Sequence, residues 1–352
     1  MRKNIIYAMF LWVLLALVIS PALPAATAQE LSLAEALALG LEANYGVKKA
    51  QLTWENARLS YERNKAPSTL AGSRHTQLQQ ELTLMQAEEN YQRTKDQAML
   101  LIARKYLEVL QTEQEREWRR KRLEWEALTL NLMEQQVAQG YETRLALMKQ
   151  ENEYYQARLE LKKLEDSSDQ LRRELAKEIG WRLDGAALSL KPVEMTLRWE
   201  VSESECQNRA RANNLALRAL KLEVEMAQIA LERARLGPVL PVEIQELKNN
   251  LQLTLLRQKE AEWELESSVR QQYAALKQLE ENLALNQVHL AAVRANFEKV
   301  QKQYEVGLLK EVDRLAAEAE LLQAEYQMFN AITNYQLKKW EFQQLLGMDL
   351  EV

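Results

Sequence analysis

Four glycines fix the frame of this chain, because Gly140 to Gly180 and Gly307 to Gly347 mark out the same 40-residue step and the residues between them correspond position by position. Glu151 answers Glu318, and Gln156-Ala157 answers Gln323-Ala324, at an offset of 167, which Tyr106 and Tyr273 also keep. Further upstream the offset becomes 170, with Asn44 answering Asn214, Leu52 Leu222, Ala57 Ala227 and Arg63 Arg233. One helical unit is written twice, and a period of this kind decides the architecture before any single motif does.

The units are helical because punctuation is scarce. The 352 residues include only 9 Gly and 6 Pro, against 47% hydrophobic and 28% charged residues, which leaves long helices and few turns. Ser32 followed by Glu35 reads as a capping box opening a helical pattern over Leu31 to Ala66, which Pro67 is expected to end. After a short polar turn over Ser68 to His75, a second run continues to about Ala138. At about 1.5 Å per residue it would extend roughly 90 Å, too long for anything but a coiled coil or bundle. Gly140 breaks that run, and a third helix follows from Arg144 to Ile179. The second copy runs from Ser202 to Leu236, breaks at Gly237-Pro238 and Pro241, resumes over Glu243 to Val306, turns at Gly307 and ends in a helix to Leu346. Val269, Leu276, Leu283, Leu290, Phe297 and Tyr304 recur every seven residues, the mark of supercoiled helix packing. Gln272 and Asn286 interrupt the companion stripe, at a wet edge or as register-setting positions. The expected division is residues 1–28 an export signal, 29–180 hairpin repeat 1, 181–201 a connector with one short strand at Ala187 to Leu190, and 202–352 hairpin repeat 2.

Residues 1–28 read as a Sec-type signal: Arg2 and Lys3, an apolar run from Ile5 to Ile19, then Ala26-Thr27-Ala28. Removing them leaves 44 basic against 51 acidic residues, net −7, which speaks against nucleic acid as a partner. Cys206 is the only cysteine, so an intrachain disulfide is excluded. Beyond the signal no run of about 18 apolar residues could cross a membrane as a helix. His75 and His289 are the only histidines and have no cysteine beside them, and no phosphate-binding or nucleophile motif occurs. No enzymatic activity, cofactor or metal is expected.

Tyr106-Leu107 and Tyr273 within long helices, the turn from Gly307 to Asp313, Glu318, Gln323-Ala324, the closing Leu345-Leu346-Gly347 and the stretch from Leu33 to Asn44 together resemble the TolC-type outer-membrane efflux family. The resemblance spans essentially all of the chain beyond the signal. It implies an all-α architecture of two tandem repeats of long antiparallel coiled-coil hairpins, in a variant with the β-barrel strands largely absent. Family members insert a strand pair between the first and the long helix of each repeat. Two strands of about 9 to 11 residues and a turn need far more than the gaps at Pro67 to Gln77 and Gly237 to Glu243 provide.

The resemblance further implies an exported component of an efflux or type I secretion assembly in the cell envelope, outer-membrane-associated or periplasmic. It would be a homotrimer forming a periplasmic helical tunnel, with a periplasmic adaptor and an inner-membrane pump as partners, and with membrane association indirect or through a partner. The hairpin tips, Gly140, Tyr141 and Leu145 in the first repeat and Gly307, Leu308 and Val312 in the second, fall where such proteins dock the adaptor. Glu311 and Asp313 fall where an acidic ring narrows the tunnel entrance. Each position also has a plain reading: Gly140 and Gly307 as left-handed helix stops, Asp313 as an acid favoured by a helix N-terminus. The run Arg116, Arg119, Arg120, Lys121 and Arg122 among Glu113, Glu115, Glu117, Glu124 and Glu126 reads as a solvated helix face, with Trp118 and Trp125 as seam residues. The alternative function is a non-conducting coiled-coil envelope spacer or scaffold.

Overall fold

The computed structural model describes residues 30–71, 74–181, 188–193 and 198–348. The export signal and parts of the connector, including Ala187, lie outside them. The described residues form eight helices: α1 (Leu33–Ala43), α2 (Tyr45–Ala71), α3 (Arg74–Ala138), α4 (Arg144–Glu178), α5 (Glu203–Asn213), α6 (Leu215–Leu236), α7 (Pro241–Glu305) and α8 (Glu311–Leu345). A parallel pair of two-residue strands, β1 (Glu30–Leu31) and β2 (Ser189–Leu190), is the only sheet among them.

The duplication appears in the element lengths. Helices α3 and α7 have 65 residues each, α4 and α8 have 35, and α1 and α5 have 11. At about 1.5 Å per residue, α3 and α7 each reach roughly 100 Å. Along one half α3 is flanked by α2 and α6; along the other it is flanked by α4 and α8, and α7 packs on α6 and α8. The result is a wall about four helices wide, with α2 and α4 along one edge and α7 along the other.

Both copies break their first helix at the same asparagine. Asn44 and Asn214 are extended (φ −76°, ψ 109° and φ −70°, ψ 108°), and each side chain then caps the next helix, Oδ1 accepting from the Val47 N–H at 3.0 Å and the Leu217 N–H at 2.8 Å. The continuous helices expected over Leu31 to Ala66 and Ser202 to Leu236 are therefore corrected to two each. The capping side chain competes successfully with the helix's own backbone bonds. Each break receives the end of a returning helix, where Gly180 (φ +66°) and Gly347 (φ +63°) close α4 and α8 in the left-handed conformation. The fit is close: a Cβ on Gly180 would stand 2.8 Å from Ala43 Cβ, and one on Gly347 2.6 Å from Asn213 Cβ. Pro67 does not end its helix, since α2 continues to Ala71. Past the first turn a proline removes one i→i−4 bond and crowds the carbonyl four residues back, but only one further turn follows Pro67, so little of the ladder is at stake there.

The core lies at this junction, midway along the wall. In the first copy Leu33, Leu37, Ile102, Tyr106, Leu107, Leu175 and Trp340 close around the strand pair. The Tyr106 hydroxyl stands 2.7 Å from the carbonyl oxygens of both Leu31 and Lys191, which share its one hydrogen, and burial pushes its pKa up to about 12. In the second copy Cys206, Val269, Leu276, Leu283, Tyr335, Phe342 and Leu346 pack together beneath Trp199. Tyr335 donates to Glu280, which also accepts from the Trp199 N–H at 2.7 Å and from Lys277. The heptad of α7 forms the inner face: Val269 and Leu276 are fully buried, Leu283 is buried, and Leu290, Phe297 and Tyr304 are half-buried. Gln272 is half-buried with an unpartnered Oε1, and Asn286 bonds Asn282 one turn back in its own helix.

Candidate functional site

Helices α3, α4, α7 and α8 reverse at one end of the wall, so both hairpin tips stand together, far from the core. Each is closed in the same way. Gly140 (φ +79°) donates to Val137 O and Tyr141 to Gln136 O, while Gly307 (φ +74°) donates to Tyr304 O and Leu308 to Gln303 O. This paired 5→2 and 6→1 pattern ends a helix with its carbonyls satisfied. The left-handed reading of both glycines is thus correct, and a Cβ at either would meet nothing within 4 Å. The tips differ in what restarts the chain: Thr143 Oγ1 accepts from the Ala146 N–H at 3.1 Å, whereas Asp313 reaches back to accept the Lys310 N–H at 3.0 Å.

The tip side chains are bare. Tyr141 is 78% exposed, Leu145 64% and Leu308 73%, with Val306 exposed beside them, while Val312 is half-buried. Apolar groups this exposed at the end of a long hairpin form a surface that another molecule can cover. Asp313 is exposed at its cap. Glu311 is clamped by Arg314, whose Nη2 and Nε stand 2.6 and 3.0 Å from its carboxylate, and Arg314 Nη1 reaches Glu318 at 2.9 Å. Hydrogen bonds from Arg314 and then Tyr304 hold the Glu311 carboxyl down at about 2. Arg314 and Tyr304 join the candidate site beside Glu311, although neither was assigned to it from the sequence. The three-residue spacing of Arg314 from Glu311 was the available signal, while Tyr304 stands across the turn on α7 and had none.

The basic run of α3 is only partly the solvated face expected. Arg119 pairs with Glu115 in its own helix and with Glu160 of α4, Arg120 reaches Glu165, and Lys121 stands 3.4 Å from Glu318 of α8. With Trp118 stacked on Tyr326 at 5.9 Å, these pairs join the three helices where the large aliphatic core gives out. The correction follows from position: α3 is the central helix, so its charged residues meet neighbours on both sides.

The edge helices carry a feature that the sequence reading did not isolate. On α7, Leu253, Leu256, Trp263, Leu285 and Val288 are each more than half exposed, and at about 100° per residue they fall in one stripe roughly 100° wide. That stripe lies opposite the buried heptad of Val269, Leu276 and Leu283. On α4, Leu145, Met148, Tyr155 and Leu159 form a similar stripe opposite Ala157 and Leu175; on α2, Tyr45, Leu52 and Leu59 repeat every seven residues opposite Val47 and Ala50. Each edge helix thus presents apolar surface both into the wall and directly away from it.

Among the described residues no helix is long and apolar enough to cross a membrane, and no group of three or more His, Cys, Asp or Glu is placed to share a metal ion.

No protein-family model and no curated protein matches the sequence. Solved structures do match the fold. The outer membrane protein VceC from Vibrio cholerae aligns over 91% of this chain and 97% of its own, with 14% identity and a TM-score of 0.64. The CmeC outer membrane channel of Campylobacter jejuni aligns over 90% and 85%, with 12% identity and a TM-score of 0.60. The open-state MtrE outer membrane channel of Neisseria gonorrhoeae aligns over 91% and 89%, with 17% identity and a TM-score of 0.58. The likeness is one of fold, and the hairpin-repeat architecture expected from the TolC-type resemblance is the one observed.

Proposed function

We propose, starting from the fold of outer-membrane channels, that this chain is the periplasmic tunnel component of an efflux or type I secretion assembly in the cell envelope. Three copies would close edge to edge, with residues 29–180 and 202–352 as the two hairpin repeats, 181–201 as the connector and 1–28 as the export signal. The observation that carries this reading is the outward apolar stripe on both edges of the wall. A protomer whose two edges differ associates head to tail, and such contacts close into a ring when the rotation allows. Heptad-spaced stripes on long helices are suited to the knobs-into-holes packing that would continue the wall across the joint.

In this reading the tips dock a periplasmic adaptor that connects the tunnel to an inner-membrane pump. Tyr141, Leu145, Leu308 and Val312 supply the apolar contact, and Gly140 and Gly307 shape the turns that present it. Asp313, repeated around the axis, gives the entrance a cation-favouring ring. Glu311 contributes less charge there because Arg314 neutralises it.

The limitation of sheet to one two-residue pair among the described residues favours a second reading, a non-conducting envelope spacer. Deletion of the gene separates the two. A tunnel component sensitises the cell to exported compounds and co-purifies with a pump and adaptor, an association that Leu308→Asp should break. Altered envelope shape with unchanged compound sensitivity and no pump in the purified complex would refute the tunnel reading.

A further inference from the structure

Each bare edge helix has a twin inside the wall, and the neighbours of that twin are known. Helices α3 and α7 correspond at an offset of 167 from end to end, as do α4 and α8, while α2 and α6 begin 170 apart. Inside the chain α3 lies against α6 and α8 and so joins repeat 1 to repeat 2. The matching joint would set α7 against α2 and α4. Those helices stand along the opposite edge of the same wall, so only another copy of the chain can bring them to α7.

Burial follows the correspondence. On α6, Leu215, Leu222 and Ile229 are half-buried, and Leu215 lines a groove with Glu89 and Asp96 of α3. Their twins on α2, Tyr45, Leu52 and Leu59, are bare. Trp118 of α3 is 9% exposed because it stacks on Tyr326 of α8, whereas its twin Leu285 is 70% exposed and the twin of Tyr326 is the exposed Leu159 of α4. Leu315 of α8 is buried, and its twin Met148 is exposed. The outward stripes are thus the faces that the internal joint covers, repeated without a cover.

Register carries across in the same way. The stack of Trp118 on Tyr326 maps to Leu285 opposite Leu159, and one turn to either side lie Val288 opposite Tyr155 and Glu281 opposite Lys163. Glu281 and Lys163 are both exposed, with opposite charge, and neither is in an ion pair among the described residues. The groove that Leu215 shares with Glu89 and Asp96 maps to Tyr45 beside Leu256 and Trp263. Two acids of the internal joint are therefore apolar on α7, and Lys121, which meets Glu318 inside the chain, is Val288 there. The outer face has apolar surface to bury where the inner one has charges to pair.

We propose that α7 of one copy packs on α2 and α4 of the next in the register of the internal joint, Leu285 against Leu159, Trp263 beside Tyr45 and Glu281 paired with Lys163. This rests on the edge-to-edge association proposed above and goes beyond it by fixing which residues meet. The contact is heterologous, unlike faces meeting with the same sense at every joint. A second copy is the occupant because the chain already contains this joint, built from the twin of each helix.

The test co-expresses two differently tagged full-length chains, Leu159→Cys and Leu285→Cys, each with Cys206→Ala, and treats the purified protein with a short bismaleimide. A crosslinked dimer carrying both tags should form, and neither variant expressed alone should give one. Met148→Cys, roughly 16 Å along α4 from Leu159, should not link to Leu285→Cys. Lys163→Glu should weaken association about fivefold in sedimentation velocity, and adding Glu281→Lys should restore it. Leu159, Leu285, Lys163 and Glu281 are exposed, so circular dichroism should not change. A dimer from one variant alone, a link from Met148→Cys in place of Leu159→Cys, no mixed dimer, or no recovery in the charge swap would overturn the proposal. Copies that still associate through Trp263 without the mixed link would sink this register and leave the tunnel reading standing. The mixed link with unchanged compound sensitivity on gene deletion would uphold the register and count against the tunnel reading alone.

Discussion

Replacing Gly347 by alanine tests the junction at which the returning helix seats against the broken one. Two costs are expected. A non-glycine residue at φ +63° carries a left-handed penalty of about 1–2 kcal/mol. The new Cβ would also stand 2.6 Å from Asn213 Cβ, so α5 or α8 must shift, and the shift strains the bond from Asn213 Nδ2 to Leu346 O, 3.0 Å long and worth about 1 kcal/mol. Against these, alanine stabilises by about 0.4–1 kcal/mol through the unfolded chain. Gly307 is the internal control, because its φ of +74° carries the same penalty while a Cβ there meets nothing within 4 Å. Gly307→Ala should therefore cost about 1 kcal/mol and Gly347→Ala about 2–3 kcal/mol in urea unfolding followed by far-ultraviolet circular dichroism. Asn213→Gly removes the clashing Cβ together with its hydrogen bond to Leu346 O, so in a double-mutant cycle the losses from Gly347→Ala and Asn213→Gly should be clearly less than additive. Equal losses for Gly307→Ala and Gly347→Ala, or additive losses in the cycle, would refute a clash at the junction.

Three further outcomes follow from named contacts. Glu311, held below its ordinary value of 4.5 at about 2, stabilises the second tip fully above that ordinary value, and its contribution disappears as pH falls through about 2. Glu311→Gln should accordingly lose less stability than wild type between these pH values in an acid titration of thermal unfolding. Trp118→Ala removes a buried ring stacked on Tyr326 and should cost about 3–5 kcal/mol, read from the same urea curves. Trp263→Asp places a charge in the outward stripe of α7 and should lower the oligomeric mass seen in sedimentation velocity while leaving helix content unchanged.

Much of this fold could be read in the residues because its rules are local and long-range at once. Gly140 and Gly307 announce left-handed helix stops, Ser32 with Glu35 announces a capping box, and the heptad from Val269 fixes the inner face over several turns. The breaks at Asn44 and Asn214 were harder, because an asparagine inside a helical pattern costs little by propensity alone. What decides them is the helix that arrives from 133 or more residues away, as the Asn213 contact with Leu346 shows. The glutamates of α4 that answer Arg119 and Arg120 likewise depend on the register of the hairpin, not on the spacing within α3. At the tips the glycines and exposed apolar residues were visible in sequence. The clamp of Arg314 on Glu311 required knowing that both rise from the first turn of α8, and the outward stripes emerged only when the buried face of each edge helix was known.

The mass and shape of the purified protein bear most directly on the central claim that the wall closes edge to edge. Native mass spectrometry with electron microscopy of the same sample should give three chains arranged head to tail around an open axis, and dissociation by Trp263→Asp. A single chain at micromolar concentration, by crosslinking as well as by mass, would contradict it.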